Sequence, residues 1–169
     1  MERRLWFNNY FSAGEIMQIV ESRKMLVFAP NDPDAVVKVI PHAKSFFLHG
    51  EEHVAVPHGV EESMVLRNMG LRNAPPPILT YYDWPGRGKP RKHQRETAAF
   101  LTSYRYALCL NAPGTGKSLS ALWASDFLIS EGLIKRVVIV APKSTLKPVW
   151  GHELKHHFPH RSFVILRRY

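Results

Sequence analysis

The chain has 169 residues, 45% apolar and 22% charged, a composition that excludes a disordered or fibrous protein and fits one large domain or two small ones. Its formal charge of +9 is one-sided: residues 1–86 carry a net −2 and residues 87–169 a net +11, so the second half suits a phosphate or polyanion partner. The single cysteine, Cys109, excludes an internal disulfide. The apolar start Leu5-Trp6-Phe7 is too short for a secretion signal, and no run approaches the ~20 apolar residues of a membrane span. A cytoplasmic protein is expected, with no membrane partner, and too short to hold two motor lobes of ~150 residues each.

In chain order, the first twenty residues, with Trp6, Phe7, Tyr10, Phe11, Ile16, Ile19 and Val20, read as a lead-in helix. Met25 to Ala29 is a compact apolar run and reads as a strand. Asn31-Asp32-Pro33 is a helix-start signal, followed by Ala35, Val36, Val39 and Ile40 at helical spacing. Ser45–Leu48 and His53–Val56, joined through His49-Gly50-Glu51-Glu52, read as a hairpin. A helix carrying Val60, Met64, Leu66 and Met69 should then close at Gly70. Residues 1–72 thus predict a small α+β domain of order β-α-β-β-α.

Five prolines and two glycines between residues 73 and 91 interrupt regular structure, and a linker is expected over 73–89. From residue 90 strands and helices alternate. Helices are expected at Lys92–Leu101, Lys117–Ser130 and Leu146–His157, and strands at Tyr106–Leu110, Val137–Val140 and Phe163–Leu166. That alternation predicts an α/β unit with a parallel sheet covered by helices on both faces, and Val137-Val138-Ile139-Val140 as a strand buried on both sides.

Between the first of these strands and the next helix stands Asn111-Ala112-Pro113-Gly114-Thr115-Gly116-Lys117-Ser118. This is G-x-x-x-x-G-K-[ST] with Asn111 in the place of the first glycine. Gly114 and Gly116 permit a backbone whose N–H groups turn inward to an anion, and the helix beginning at Lys117 adds its positive end. A nucleotide triphosphate with Mg²⁺ is the ligand this pattern predicts. Pro113, Gly114, Thr115 and Gly116 would form the cradle, Lys117 would reach the β and γ phosphates, and the Ser118 hydroxyl would sit on the metal.

In this order of motifs the chain resembles the start of the first lobe of superfamily-two helicases and translocases, in the Swi/Snf-like branch and its phage relatives. Pro90-Arg91-Lys92-His93-Gln94, with Phe100-Leu101 after it, resembles the family segment that reads adenine, a role that would fall to Gln94. Ala141-Pro142-Lys143-Ser144-Thr145-Leu146-Lys147-Pro148-Val149-Trp150-Gly151-His152-Glu153 resembles the motif that touches the DNA backbone. The resemblance implies a partial RecA-like, P-loop NTPase lobe over residues 90–169 and ATP and Mg²⁺ as ligands. It implies double-stranded or branched DNA as partner and further helicase lobes outside this chain. Lys143, Ser144, Thr145 and Lys147 could hold a backbone phosphate on chemical grounds as well. Residues 1–72 resemble, by element order, the small HARP-type domain ahead of the motor in annealing helicases; a plain packing domain is the alternative.

Hydrolysis in that family needs a carboxylate pair ending a later strand. After Ser118 the only acids are Asp126, Glu131 and Glu153, none at the end of an apolar run. No catalytic residue is assigned, and nucleotide binding without turnover is expected of these residues alone. A non-catalytic DNA- or partner-binding module is the alternative reading. His152-Glu153-Leu154-Lys155-His156 matches H-E-x-x-H, but Pro159 and Ser162 occupy the positions where an extended zinc motif needs Gly and His, so a zinc site is not expected. The cluster Arg87, Lys89, Arg91, Lys92 and Arg95 is either a DNA contact or a solvated surface. Trp123 and Phe127, four apart, are expected in the core.

Overall fold

The computed structural model describes residues 17–71 and 73–166. The chain is mixed α/β and divides into two compact units, Met1–Tyr81 and Tyr82–Tyr169. No helix among the described residues is long and apolar enough to cross a membrane.

The first unit is built on a four-stranded antiparallel sheet of order β1-β2-β4-β3, with β1 at Gln18–Val20, β2 at Met25–Phe28, β3 at Lys44–Leu48 and β4 at Glu51–Pro57. The alternation along β2 and β4 sends Leu26, Phe28, Val54 and Val56 to one face, where they are fully buried. Two helices cover that face, α1 (Pro33–Val39) through Val36 and α2 (Val60–Asn68) through Leu66. Helix α1 starts where the sequence signals it: Asp32 accepts the Ala35 N–H at 3.0 Å, and Pro33 takes the first helical position, where no N–H is needed. Gly70 follows α2 at φ +113, a left-handed angle that lets Leu71 N–H return to the Leu66 carbonyl.

Two expectations change here. The lead-in helix falls on residues 1–16, outside the described residues, except for its end; there Gln18, Ile19 and Val20 form β1, paired antiparallel with Val27, Leu26 and Met25. Two β-branched residues beside a strand edge explain the outcome, because ladder hydrogen bonds outweigh a weak helical pattern. The proline-rich stretch is not a bare linker either. Pro77–Tyr81 forms a one-turn helix, α3, with Pro77 and Ile78 buried, and the division between units falls inside the stretch, after Tyr81.

His58 fastens this stretch to the sheet. It is 2% exposed, and its Nε2 lies 2.7 Å from the Pro75 carbonyl, its Nδ1 2.8 Å from the Tyr81 hydroxyl. A carbonyl only accepts, so Nε2 carries the proton and Nδ1 accepts from Tyr81. Burial pushes the His58 pKa down, against the pull of the Pro75 carbonyl. At a pH above the unfolded histidine value of ~6.5 the ring is neutral in both states. Below it the unfolded chain takes up the proton first, so stability falls as pH falls through the folded value. Urea midpoints measured between pH 7.5 and 5.5 are expected to drop for the native chain, and to drop less for His58→Gln.

The second unit is helical where it is regular. Helix α4 (Lys92–Ser103) packs on α5 (Lys117–Ser130), and Thr97, Ala98, Ala99 and Thr102 are buried on one side of α4. After α5 come α6 (Lys143–Thr145), a π-helical turn over Leu146–Gly151, and α7 (His152–His157). Pro148 lies inside the π turn; with no N–H to donate and a ring that crowds the preceding turn, it favours the wider winding. An aromatic cluster centres the unit: Trp84 meets Trp123 edge-on at 5.2 Å and Phe158 at 5.6 Å, and Tyr82 lies 5.4 Å from Phe127. Trp123 and Phe127 are buried, as the helical spacing predicts.

Asp126, 2% exposed, anchors this cluster. It accepts from the Tyr82 hydroxyl, from His160 Nε2 at 2.9 Å and from Arg161 Nε at 2.5 Å. Burial alone would raise its pKa. The hydrogen bonds from Tyr82, Arg161 and His160 more than offset this and leave the carboxyl below its usual range. Tyr82 is pushed up to about 12, by burial first and then by the carboxylate it donates to.

The three apolar runs expected as parallel strands carry no hydrogen-bonded ladder among the described residues. Only the last run alternates in exposure, with Phe163 and Ile165 half-buried and Val164 and Leu166 facing solvent; in the other two, Cys109 and Ile139 alone are half-buried, and Ala107 and Val137 are exposed with their neighbours. Val137–Val140 is therefore not buried on both sides. Val138 is 85% and Val140 94% exposed, because nothing among the described residues covers that face.

Candidate functional site

The glycine-rich turn lies between the run ending at Leu110 and α5. Pro113 and Gly114 make a turn, and Gly114 and Gly116 both take φ +76, the left-handed region in which a side chain is strained. Gly116 serves as the N-cap of α5. A Cβ at Gly114 would meet open space, so the backbone angle alone requires glycine there. A Cβ at Gly116 would also lie 2.3 Å from Gln94 Nε2. The loop closes on itself through the Thr115 hydroxyl, which donates to the Ala112 carbonyl at 2.9 Å.

Helix α5 opens with Lys117 and has neither a side-chain cap nor an acid in its first turn. Its first backbone N–H groups have no partner within the helix, and its dipole favours an anion at this end. Lys117 folds back over the loop, its ammonium donating to the Asn111 carbonyl at 2.8 Å and to the Ala112 carbonyl at 2.9 Å. The cation that would meet a phosphate thus already stands beside the turn, held by bonds that water could replace. Ser118 follows on the same first turn and is half-buried.

Helix α4 borders the loop. Gln94 lies against Gly116; its Oε1 accepts from Arg91 N–H at 2.9 Å, which caps α4 and turns Nε2 toward the loop. His93 Nε2 lies 3.0 Å from the Thr115 carbonyl, and Asn111 Nδ2 donates to Thr97 Oγ1 at 2.8 Å. A cleft of about 480 Å³ opens beside them, lined among others by His93, Thr97, Phe100, Asn111 and Thr115. The contacts of His93 and Thr97 with the loop were not foreseen from sequence. The only local signal was their four-residue spacing, which stacks them on one helix face.

Of the residues expected to meet DNA, Lys143 and Ser144 in α6 and Lys147 in the following π turn are exposed. Thr145 is engaged locally: its N–H and its hydroxyl both donate to the Pro142 carbonyl, at 2.9 and 2.8 Å. His152 and His156 stack at 5.6 Å, whereas Glu153 pairs with His157 at 3.4 Å. Burial lowers the His157 pKa, against the pull of Glu153. Among the described residues, no three His, Cys, Asp or Glu side chains gather as a metal site.

Compared with family models, curated proteins and solved structures, the chain matches none.

Proposed function

We propose that the chain binds Mg-ATP at the loop Pro113–Ser118, as the N-terminal part of an ATP-dependent DNA helicase or translocase of the Swi/Snf-like kind. The observation that carries this reading is the pairing of two left-handed glycines with Lys117 at the acid-free start of α5. In this reading the N–H groups from Gly114 to Ser118 hold the β phosphate and Lys117 moves from the loop carbonyls to the β and γ oxygens. The Ser118 hydroxyl would hold Mg²⁺, which would offset the charge of the phosphates. Gln94, whose Nε2 lies beside Gly116, would meet the base. Lys143 and Ser144 in α6, with Lys147 in the π turn after it, supply the contact to a nucleic-acid backbone. The exposed apolar runs at 106–110, 137–140 and 163–166 would suit a RecA-like parallel sheet.

Turnover is not proposed for these residues. Asp126 is committed to Tyr82, His160 and Arg161, and Glu153 to His157. Calorimetric titration of the full chain tests the proposal: saturable heat is expected with Mg-ATP, less affinity with Mg-ADP and none with AMP, without phosphate release. Equal binding of AMP and ATP would overturn it. The net +11 of residues 87–169 favours, as a second reading, a DNA-binding module without nucleotide. DNA retention that falls steeply with salt and persists alongside absent ATP binding would select it.

A further inference from the structure

We infer that Asn111, Thr97 and His93 are positioning residues that brace the phosphate loop on α4, and that Asn111 does so in a way a glycine could not. The inference rests on the nucleotide-binding reading of the same loop. Asn111 occupies the position where the motif pattern has glycine, and there its side-chain amide donates to Thr97 Oγ1 at 2.8 Å. The Thr97 hydroxyl passes its own hydrogen to the His93 carbonyl at 2.7 Å. One turn earlier on the helix, His93 Nε2 reaches the Thr115 carbonyl at 3.0 Å. A carbonyl only accepts, so His93 must hold its proton on Nε2, and each polar atom in the chain of bonds has one consistent role.

The loop is thus tied to α4 at its root, Asn111, and at its crown, Thr115. Asn111 and Ala112 also supply the carbonyls on which the Lys117 ammonium rests, so the brace fixes where that charge waits. A loop whose N–H groups are set before the anion arrives loses less freedom on binding. Glycine at position 111 would leave the Thr97 oxygen without its donor and release the loop root.

Mg-ATP titration of the full chain tests the brace, with Lys117→Ala as the control for the nucleotide reading. Asn111→Gly, which restores the motif pattern, is expected to weaken binding about 10-fold. Thr97→Ala should do the same, and the double variant should lose no more than either single one, because both break one bond. The thermal midpoint of ligand-free Asn111→Gly should fall by only a few degrees, since Asn111 itself is exposed although Thr97 is buried. A merely structural role would move the midpoint and leave affinity unchanged. If Asn111→Gly binds as tightly as the native chain while Lys117→Ala does not bind, the brace is refuted and the nucleotide site stands. If the native chain gives no saturable heat, both are refuted. Should Thr97→Ala fail to fold, Asn111→Gly alone decides.

Discussion

Lys117→Ala is expected to weaken Mg-ATP binding about 100-fold and to leave the fold intact. In the ligand-free chain the ammonium makes two bonds, to the carbonyls of Asn111 and Ala112. Both residues are exposed, so water can replace the lost donor and stability should change by less than about 1 kcal/mol. With nucleotide bound, the same ammonium would face phosphate oxygens, where a charge-assisted contact contributes about 2–3 kcal/mol, close to a 100-fold change in Kd. Calorimetry on both proteins measures the affinity, and thermal unfolding checks the fold. Unchanged affinity would show that the ammonium never leaves its loop carbonyls.

Asp126→Ala should destabilise the second unit by about 3 kcal/mol, which for a chain of this size lowers Tm by roughly 10 °C. The carboxylate is 2% exposed and joins three donors from separate parts of the unit: Tyr82 ahead of α4, and His160 and Arg161 after α7. Removing it leaves the Tyr82 hydroxyl without an acceptor and Arg161 without its counter-charge. The loss is less than for a fully sealed pair because Arg161 keeps 29% of its side chain in water. The folded pKa of Asp126 lies below its unfolded value, so the native carboxylate contributes fully above about pH 4. That contribution disappears as pH falls through the folded value. Asp126→Ala should accordingly flatten the acid limb of a stability-versus-pH curve, and an unaltered acid limb would contradict this account.

Much of the local structure was legible because the signals were local. Asp32-Pro33 starts α1, Gly70 ends α2, and Gly114, Gly116 and Lys117 form a turn followed by a helix where the pattern places them. The missed features depend on partners distant in sequence. Strand β1 exists because β2 lies beside it, and α3 forms inside a proline-rich stretch that His58 holds at Pro75 and Tyr81. Nothing around Asp126 announced that residues 82, 160 and 161 would converge on it. The apolar runs at 106–110, 137–140 and 163–166 show the reverse: their pattern is strand-like, yet no described neighbour completes a ladder. Asn111 read as a mild departure from the motif, and its bond to the Thr97 hydroxyl, fourteen residues earlier in the chain, had no local signal.

The most direct test of the central claim is an amide NMR titration of the full chain with Mg-ATP. The N–H resonances of Gly114, Thr115, Gly116, Lys117 and Ser118 should shift together and saturate, with little change in β1–β4. Saturable binding that leaves these five amides in place, or shifts only residues elsewhere, would contradict the account.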